Sequence, residues 1–431
     1  MATTIAFVIG ALLVGALGLM GLLDAVRGTP VIKILPFGGQ LPAVDDPAFR
    51  TNMELVSRTS MCDGNQAEMF WNGDQTYPRL WADLRAAKTT ITLQLYYCEP
   101  GRMADELSAI LLERAHAGVR VLFLYDSFGT SFKKKYVEAL CAGGVRAQPF
   151  RPVALSALNK LLHRAHIRVV CVDGTIGWTG GFGIADKWFG NGRTKDQWRD
   201  SNVRFTGPAV NQLQAAFTAC WAESTGDLLI PPVQLPAEPG APNGNRGRSM
   251  VAGLLHASPS IGSTEAERFF AYSIASARKT LYIANSYFVP DRDIRAMITD
   301  AARRGVDTRI LTVSAESDVK STWYAGRARY EELLSAGVRI YEYQPAMMHA
   351  KTLTVDGHWA ALGSMNADNR SLSLNEETVL MMLDRDAAQT LERQFLDDLE
   401  YAEEINLDEF RTRGTIDRIK EKACYSVWRI L

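Results

Sequence analysis

Apolar and polar positions along the chain fall into distinct regimes. Thr4–Leu23 is a run of 20 residues with no charged side chain. As a helix it would be about 30 Å long, which matches a bilayer core. Beyond it, residues 85–126 and 276–318 share one succession of patterns. Each reads as a basic helix end, a β-branched and aromatic strand, a turn with proline, an amphipathic helix closing at glycine (Gly118, Gly305) and a second strand. YVEALCAGGVRAQPFRP then follows in the first copy and YEELLSAGVRIYEYQP in the second. Strands alternating with helices predict parallel βαβ units with right-handed crossovers. The expected fold class is α/β: two similar halves packed pseudo-symmetrically with a site at their junction, plus one N-terminal transmembrane helix.

The expected organisation is an anchor over 1–27, a connecting segment over 28–64, a first half over 65–230, a linker over 231–250, a second half over 251–415 and an amphipathic C-terminal segment over 416–431. The linker holds five prolines and three glycines in Pro231–Met250. For the N-terminal run, a signal peptide would need a basic leader, which Met1–Thr4 lacks, and a core helix would need an amphipathic face. A membrane anchor fits best. Arg27 and Lys33 follow it and nothing basic precedes it, which places the bulk of the chain in the cytoplasm.

Composition narrows the classes. At 431 residues with 47% hydrophobic and 22% charged residues, the chain is an ordinary globular protein of two or three domains. Forty-seven basic against 48 acidic residues give a net charge of −1, so no overall field draws it to nucleic acid. Locally, Ser127–Arg168 carries eight basic residues and one acidic residue, a candidate approach for anionic headgroups or else a set of charges partnered elsewhere in the fold. Six cysteines without a CxxC pair suggest buried free thiols and not a disulfide framework or zinc site.

Each half ends its repeat with one constellation. His166, Arg168 and Asp173-Gly174 are followed by Gly180-Gly181 and Gly183; His349, Lys351 and Asp356-Gly357 are followed by Gly363-Ser364 and Asn366. Histidine and cation two apart share one face of a strand. Asp-Gly is a type I′ hairpin turn, and a two-residue loop would set His349 opposite Ser364 and His166 opposite Gly181. Asp173 and Asp356 then lie a strand-length from the histidines and serve the turn. Two imidazoles, two cations and an amide suit phosphoryl transfer: one imidazole attacks phosphorus, the other protonates the leaving oxygen, and Lys351, Arg168, Asn366 and Ser364 bind the phosphate. No metal-ligand spacing is present, so no metal is called for.

This duplicated HxKxxxxDG…GSxN pattern resembles the phospholipase D superfamily. The fuller match resembles bacterial cardiolipin synthases, through YFVPDRDI, HAKTLTVDG and GSMNADNRSLSLNEE in the second half and HIRVVCVDG, TGGFGIAD and QWRDSNVRFTGPAV in the first. The resemblance covers about residues 65–415. It implies two α/β/α sandwich halves and a cofactor-free ping-pong reaction through a phosphatidyl-histidine. His166 would be the nucleophile and His349 the general acid and base. It also implies that Asp200 and Glu377 orient the imidazoles, with the pairing open. The substrate would be a phospholipid, phosphatidylglycerol, in a bacterial inner membrane. Arg168 and Gly183 depart from the family's Lys and Asn, which leaves a non-catalytic phospholipid-binding protein with a degenerate first motif as a rival. A phospholipase D hydrolase and a nuclease are others, the nuclease disfavoured by the anchor, the long chain and the absence of a net basic charge.

His116, His163, His256 and His358 read as structural. Tyr96-Tyr97 and Tyr287-Phe288 read as equivalent strand ends, in the core or lining a channel, and Lys133–Lys135 as a solvated loop. Ile416–Leu431 fits either a docking helix or a membrane-surface helix.

Overall fold

A computed structural model describes residues 29–152, 163–231, 233, 249–260 and 262–427, with Gly15 and Gly18. The expected anchor Thr4–Leu23, those two glycines aside, and most of the linker lie outside the described residues. Among the described residues no helix is long and apolar enough to cross a membrane.

The first half contributes β1 (Cys62–Trp71), β2 (Thr90–Leu95), β3 (Arg120–Asp126), β4 (Arg146–Phe150), β5 (Arg168–Val172), β6 (Ile176–Gly180), β7 (Trp198–Arg199) and β8 (Ser201–Thr206). The second contributes β9 (Met250–Ala257), β10 (Thr280–Asn285), β11 (Asp307–Val313), β12 (Arg339–Tyr343), β13 (Met347–Met348), β14 (Lys351–Val355), β15 (Trp359–Gly363), β16 (Glu377–Leu383) and β17 (Ala402–Glu404). The spatial order β4-β3-β2-β5-β6-β8-β1 is repeated as β12-β11-β10-β14-β15-β16-β9. β1 and β9 pair antiparallel, so the copies join into one 15-stranded sheet with β17 at an outer edge.

The expectation of parallel units is only partly met. β2, β3 and β4 run parallel, as do β10, β11 and β12, but the strands joining them to β1 and β9 are antiparallel. The motif strand returns through a tight Asp-Gly hairpin, which permits only an antiparallel pair.

Six helices are used below: α1 (Arg102–His116), α2 (Ala209–Thr225), α3 (Arg292–Arg303), α4 (Lys320–Arg327), α5 (Arg385–Leu399) and α6 (Thr415–Ser426). Helices cover both faces of each half. Leu107 and Leu111 of α1 pack with Ile91 and Leu93, and Leu213 and Phe217 of α2 with Val169 and Cys171 on the other face. Ile294 and Ile298 of α3 pack with Ile283 and Ile310, while Phe395 of α5 stacks on Tyr282. Each such buried side chain contributes roughly 1.5–3 kcal/mol.

Both Asp-Gly turns have the expected left-handed backbone, Asp173 at φ +53° and Asp356 at φ +53°. The N–H groups of Thr175 and His358 close them onto the carbonyls of Val172 and Val355. The ladders, however, pair Val172 with Ile176 and Val355 with Trp359. One extra residue sits in each return strand, so the expected opposition of His349 with Ser364 and of His166 with Gly181 is corrected by one. Continued, the register would face His349 with Met365 and His166 with Phe182, and both histidines precede the paired strands.

Candidate active site

Two short bridges between the halves build the site. β13 runs parallel to β7, and Ala165 bridges Glu376 in the same sense. His349 N–H donates to the Arg199 carbonyl at 2.7 Å, and Glu376 N–H to the Arg164 carbonyl at 2.9 Å. Each bridge thus lays the residues before one half's histidine beside those before the other half's carboxylate. His166 Nδ1 lies 2.9 Å from Glu377 Oε1, and His349 Nδ1 lies 2.9 Å from Asp200 Oδ2. The pairing that the sequence left open is therefore crossed between halves. Arg199 fastens the β7 bridge: its buried guanidinium grips Asp398 of α5 at 2.6 Å and the Ser201 hydroxyl at 3.0 Å.

The two carboxylates differ in their other partners. Asp200 accepts Trp188 Nε1–H at 2.8 Å and the Ser201 N–H at 2.8 Å. Burial opposes its ionisation, but His349 and Lys351 outweigh burial and hold its pKa below the usual carboxylate range. Glu377 accepts the hydroxyls of Ser364 and Ser371, yet complete burial raises its pKa to about 8. Both histidines are buried, at 6% exposure for His166 and 3% for His349. Burial, then the nearby cations, depress both: His349 to about 3 and His166 well below its ordinary value. The neutral imidazole that this favours at His166 is what a nucleophile requires, whereas a general acid at His349 needs the protonated form, which Asp200 alone among the neighbours named here favours.

Lys351 Nζ donates to Ser286 Oγ at 2.8 Å and to the His349 carbonyl. Arg168 donates to the carbonyls of His166 at 2.7 Å and Phe182 at 3.2 Å. Each cation is thus clamped to the backbone beside its own histidine. Burial, with Arg168 nearby and against the pull of Asp200, lowers Lys351 to about 7. A pH profile follows from these groups. The Glu377 carboxylate gains as pH rises towards about 8, and the Lys351 ammonium is lost above about 7. Turnover measured as kcat/KM should therefore be a narrow bell centred between those values, and Lys351→Arg should remove its alkaline limb. A flat profile from pH 6 to 9 would contradict this.

The departures in the first motif come with compensating neighbours. Leu95 faces Arg168 in the ladder as Asn285 faces Lys351, so Tyr96 matches Ser286 and Tyr97 matches Tyr287. This corrects the expected equivalence of Tyr96-Tyr97 with Tyr287-Phe288 by one residue. Where Ser286 holds Lys351, Tyr96 lies 5.9 Å beneath the Arg168 guanidinium and stands edge-on to His166 at 5.0 Å. A Cβ at Gly183 would come within 2.9 Å of the Trp188 ring, so that indole fills the space of the family's Asn side chain. Trp188 in turn packs against His349 at 5.3 Å, beside Trp198 at 4.9 Å. Asn366, in the second motif, is buried with its Oδ1 unpartnered in the protein, whereas Ser364 is spent on Glu377 and not left for phosphate. The sequence offers Tyr96 only as a core or channel-lining strand end, and it marks Trp188, Trp198, Ser286 and Ser371 as site residues only through the nearness of Trp198 to Asp200 in QWRDSN.

Asp173 and Asp356 sit at the far end of the motif strands. Asp356 accepts the N–H groups of Arg278, Lys279 and Thr280, and Asp173 those of Lys88, Thr89 and Thr90. Burial opposes ionisation of Asp173, but these N–H groups outweigh it and lower its pKa; its stabilisation holds above the ordinary value and fades as pH falls through the lower one. Asp356→Asn should cost roughly 2–4 kcal/mol of stability, because charge-assisted bonds are lost, while turnover per folded molecule stays within about twofold. Thermal melts beside folded-fraction-corrected rates test this; an unchanged melt with abolished turnover would contradict it.

The basic stretch is largely answered by acids from elsewhere. Arg151 pairs with Glu223 and Glu376, Arg146 with Asp227 and Arg164 with Asp126. Of the two readings of this stretch, that of charges partnered elsewhere in the fold holds for these three arginines, and Lys134 and Lys135 open a helix instead of a loop. His163 and His256 hold the loop before Glu377, through the Leu374 carbonyl and the Glu376 carboxylate. Folding also brings Cys220 next to His256 and Glu376, a grouping spacing could not reveal, but Arg151, His256 and Ser258 already occupy that carboxylate.

Residues 271–399 match the family described as "Cardiolipin synthase, PLD-like domain". The chain is 35% identical over 386 residues to "Cardiolipin synthase" of Geobacillus kaustophilus, covering 89% of this chain and 74% of that protein. It is 37% identical over 363 residues to "Cardiolipin synthase 2" of Bacillus anthracis, covering 84% and 69%. The chain belongs to the cardiolipin synthase family. That places it in the phospholipase D superfamily. Among solved structures, phosphatidylserine synthase of Haemophilus influenzae superposes with a TM-score of 0.64 at 13% identity, over 89% of this chain and 99% of that one. At that identity the likeness concerns the fold. A cardiolipin synthase family fold with both histidine motifs filled thus frames the chemistry.

Proposed function

We propose that the chain is a membrane-anchored phosphatidyl transferase of the cardiolipin synthase type. It joins two phosphatidylglycerols and releases glycerol. The observation that carries this reading is the pair of crossed histidine–carboxylate dyads, buried together with Arg168 and Lys351. His166 Nε2 attacks phosphorus, the bond to the glycerol oxygen breaks, and His349, entering the step protonated on both nitrogens with Nδ1–H on Asp200, gives that oxygen its Nε2 proton. The product is a phosphatidyl-histidine. His349 then takes a proton from a hydroxyl of the second phosphatidylglycerol, whose oxygen displaces His166 and forms cardiolipin.

The chain's own residues account for the barrier. Glu377 holds the His166 Nδ1–H, so that Nε2 keeps its lone pair. Asp200 stabilises positive charge on His349, the form in which it can donate a proton, and this supports the acid–base role for His349. Lys351 and Arg168 would balance the non-bridging oxygens as charge shifts, with Asn366 as a further polar contact. The aromatic wall of Trp188, Trp198 and Tyr96 keeps water from the intermediate. The apolar run Thr4–Leu23 supplies the anchor, with the catalytic part on the cytoplasmic side.

The test is purified full-length chain with phosphatidylglycerol in detergent micelles, resolving cardiolipin and glycerol from phosphatidic acid. Cardiolipin and glycerol in equal amounts are expected. Phosphatidic acid as the sole product would replace the synthase reading with a hydrolase, and binding without turnover would replace it with a lipid-binding protein.

A further inference from the structure

Helix α6 is mounted in an unusual sense. Its buried contact with α4 is ionic: Glu421, 1% exposed, is gripped by Arg413 at 2.7 Å and faces Arg327 at 3.5 Å. Tyr425 on the same side lies under the Arg329 guanidinium at 4.0 Å. The apolar side chains point the other way. Ile416 is 69% exposed and Ile419 62%, and with exposed Ala423 they follow the i, i+3, i+7 spacing of a single stripe. At 100° per residue, Lys420 falls on one side of that stripe, with its Nζ 5.6 Å from the Tyr324 ring of α4, and Lys422 on the other, while Arg418 lies opposite the stripe and donates to the Arg411 carbonyl. Four further residues, Trp428, Arg429, Ile430 and Leu431, lie outside the described residues and repeat the apolar and basic mixture in sequence.

A helix that docks on a soluble core buries its apolar stripe. This one buries a carboxylate and presents isoleucines between cations, the arrangement of a helix lying in the interface of an anionic bilayer. Its mounting also leads to the site. α4 begins at Lys320, two residues after Asp318, which accepts the Tyr287 hydroxyl at 2.7 Å, and the Tyr287 ring stands 6.4 Å from that of His349. We propose that the outward face of α6, centred on Ile416 and Ile419, docks on an anionic phospholipid surface and so holds the His349 side of the site against the membrane. The docking itself follows from the helix; its catalytic consequence rests on the phospholipid-transfer reading above.

The experiment uses the full-length chain with photoreactive benzoylphenylalanine placed at Ile419, reconstituted into vesicles of phosphatidylcholine with or without phosphatidylglycerol. Irradiation should yield lipid adducts that are strengthened by phosphatidylglycerol and weakened about fivefold for each cation removed by Lys420→Gln or Lys422→Gln. In parallel, the double variant Ile416→Asp, Ile419→Asp should lower turnover of vesicular phosphatidylglycerol about tenfold and leave a monomeric short-chain phosphatidylglycerol unaffected. Adducts only between protein chains, labelling indifferent to phosphatidylglycerol, or equal loss on both substrates overturns the proposal. If the unmodified chain turns over neither substrate, the transfer reading fails instead, and the lipid labelling still decides the docking surface.

Discussion

Alanine in place of His349 is expected to lower cardiolipin formation by about 10³-fold or more, and alanine in place of His166 by a similar factor. General acid–base catalysis alone contributes roughly 10²–10⁴-fold, and loss of the nucleophile removes the covalent route altogether. Neither imidazole has a substitute within reach. Each is held to a carboxylate on the other half, and the neighbouring cations are clamped to backbone carbonyls. The double variant should be little worse than either single one, because the two groups act in one cycle. Steady-state rates and mass spectrometry for a phosphatidyl adduct on the peptide holding His166 separate the roles. Loss of activity from His349→Ala alone would mean that the first half, with its Arg168 and Gly183, is not catalytic.

The second large effect is expected at Asp200. Asp200→Asn keeps the volume but replaces an acceptor with an amide that can no longer stabilise a proton on His349, and turnover should fall about 10²–10⁴-fold. Trp188 Nε1–H binds Oδ2 and the Ser201 N–H binds Oδ1, so the single amide oxygen keeps one of these bonds and leaves the other donor facing an NH2, at a cost of about 1–3 kcal/mol. A second variant reaches the same group indirectly. A methyl at Gly181 would lie 2.1 Å from Asp200 Oδ1, so Gly181→Ala should displace the carboxylate and reproduce the defect. A collapsed kcat beside a melting temperature lowered by only a few degrees is the expected signature. Full activity in Asp200→Asn would show that His349 needs no anionic partner.

What could be read in advance, and what could not, follows from range. The duplication, the motif residues and the Asp-Gly turns are local patterns, and the turns formed with the expected left-handed backbone. The register slipped by one because an extra residue after each turn leaves no mark on alternation. The mixed sheet escaped for a related reason, since alternating strands and helices do not report the direction of the hairpin strands. The crossed dyads were out of reach: His349 and Asp200 are 149 positions apart and His166 and Glu377 are 211. In sequence the Arg168 and Gly183 departures read as erosion; in the fold Tyr96 lies beneath the Arg168 guanidinium and the Trp188 indole fills the space at Gly183.

The crossed bridges carry an evolutionary consequence. In most fused duplicates, one copy is free to drift while the other keeps the work. Here each copy keeps the acid that its twin's histidine depends on, so neither is a spare. A lesion in the second half's Glu377 is felt by the first half's His166, and one in the first half's Asp200 by the second half's His349. Divergence between the halves is therefore confined to exchanges absorbed on the spot, such as arginine with tyrosine for lysine with serine.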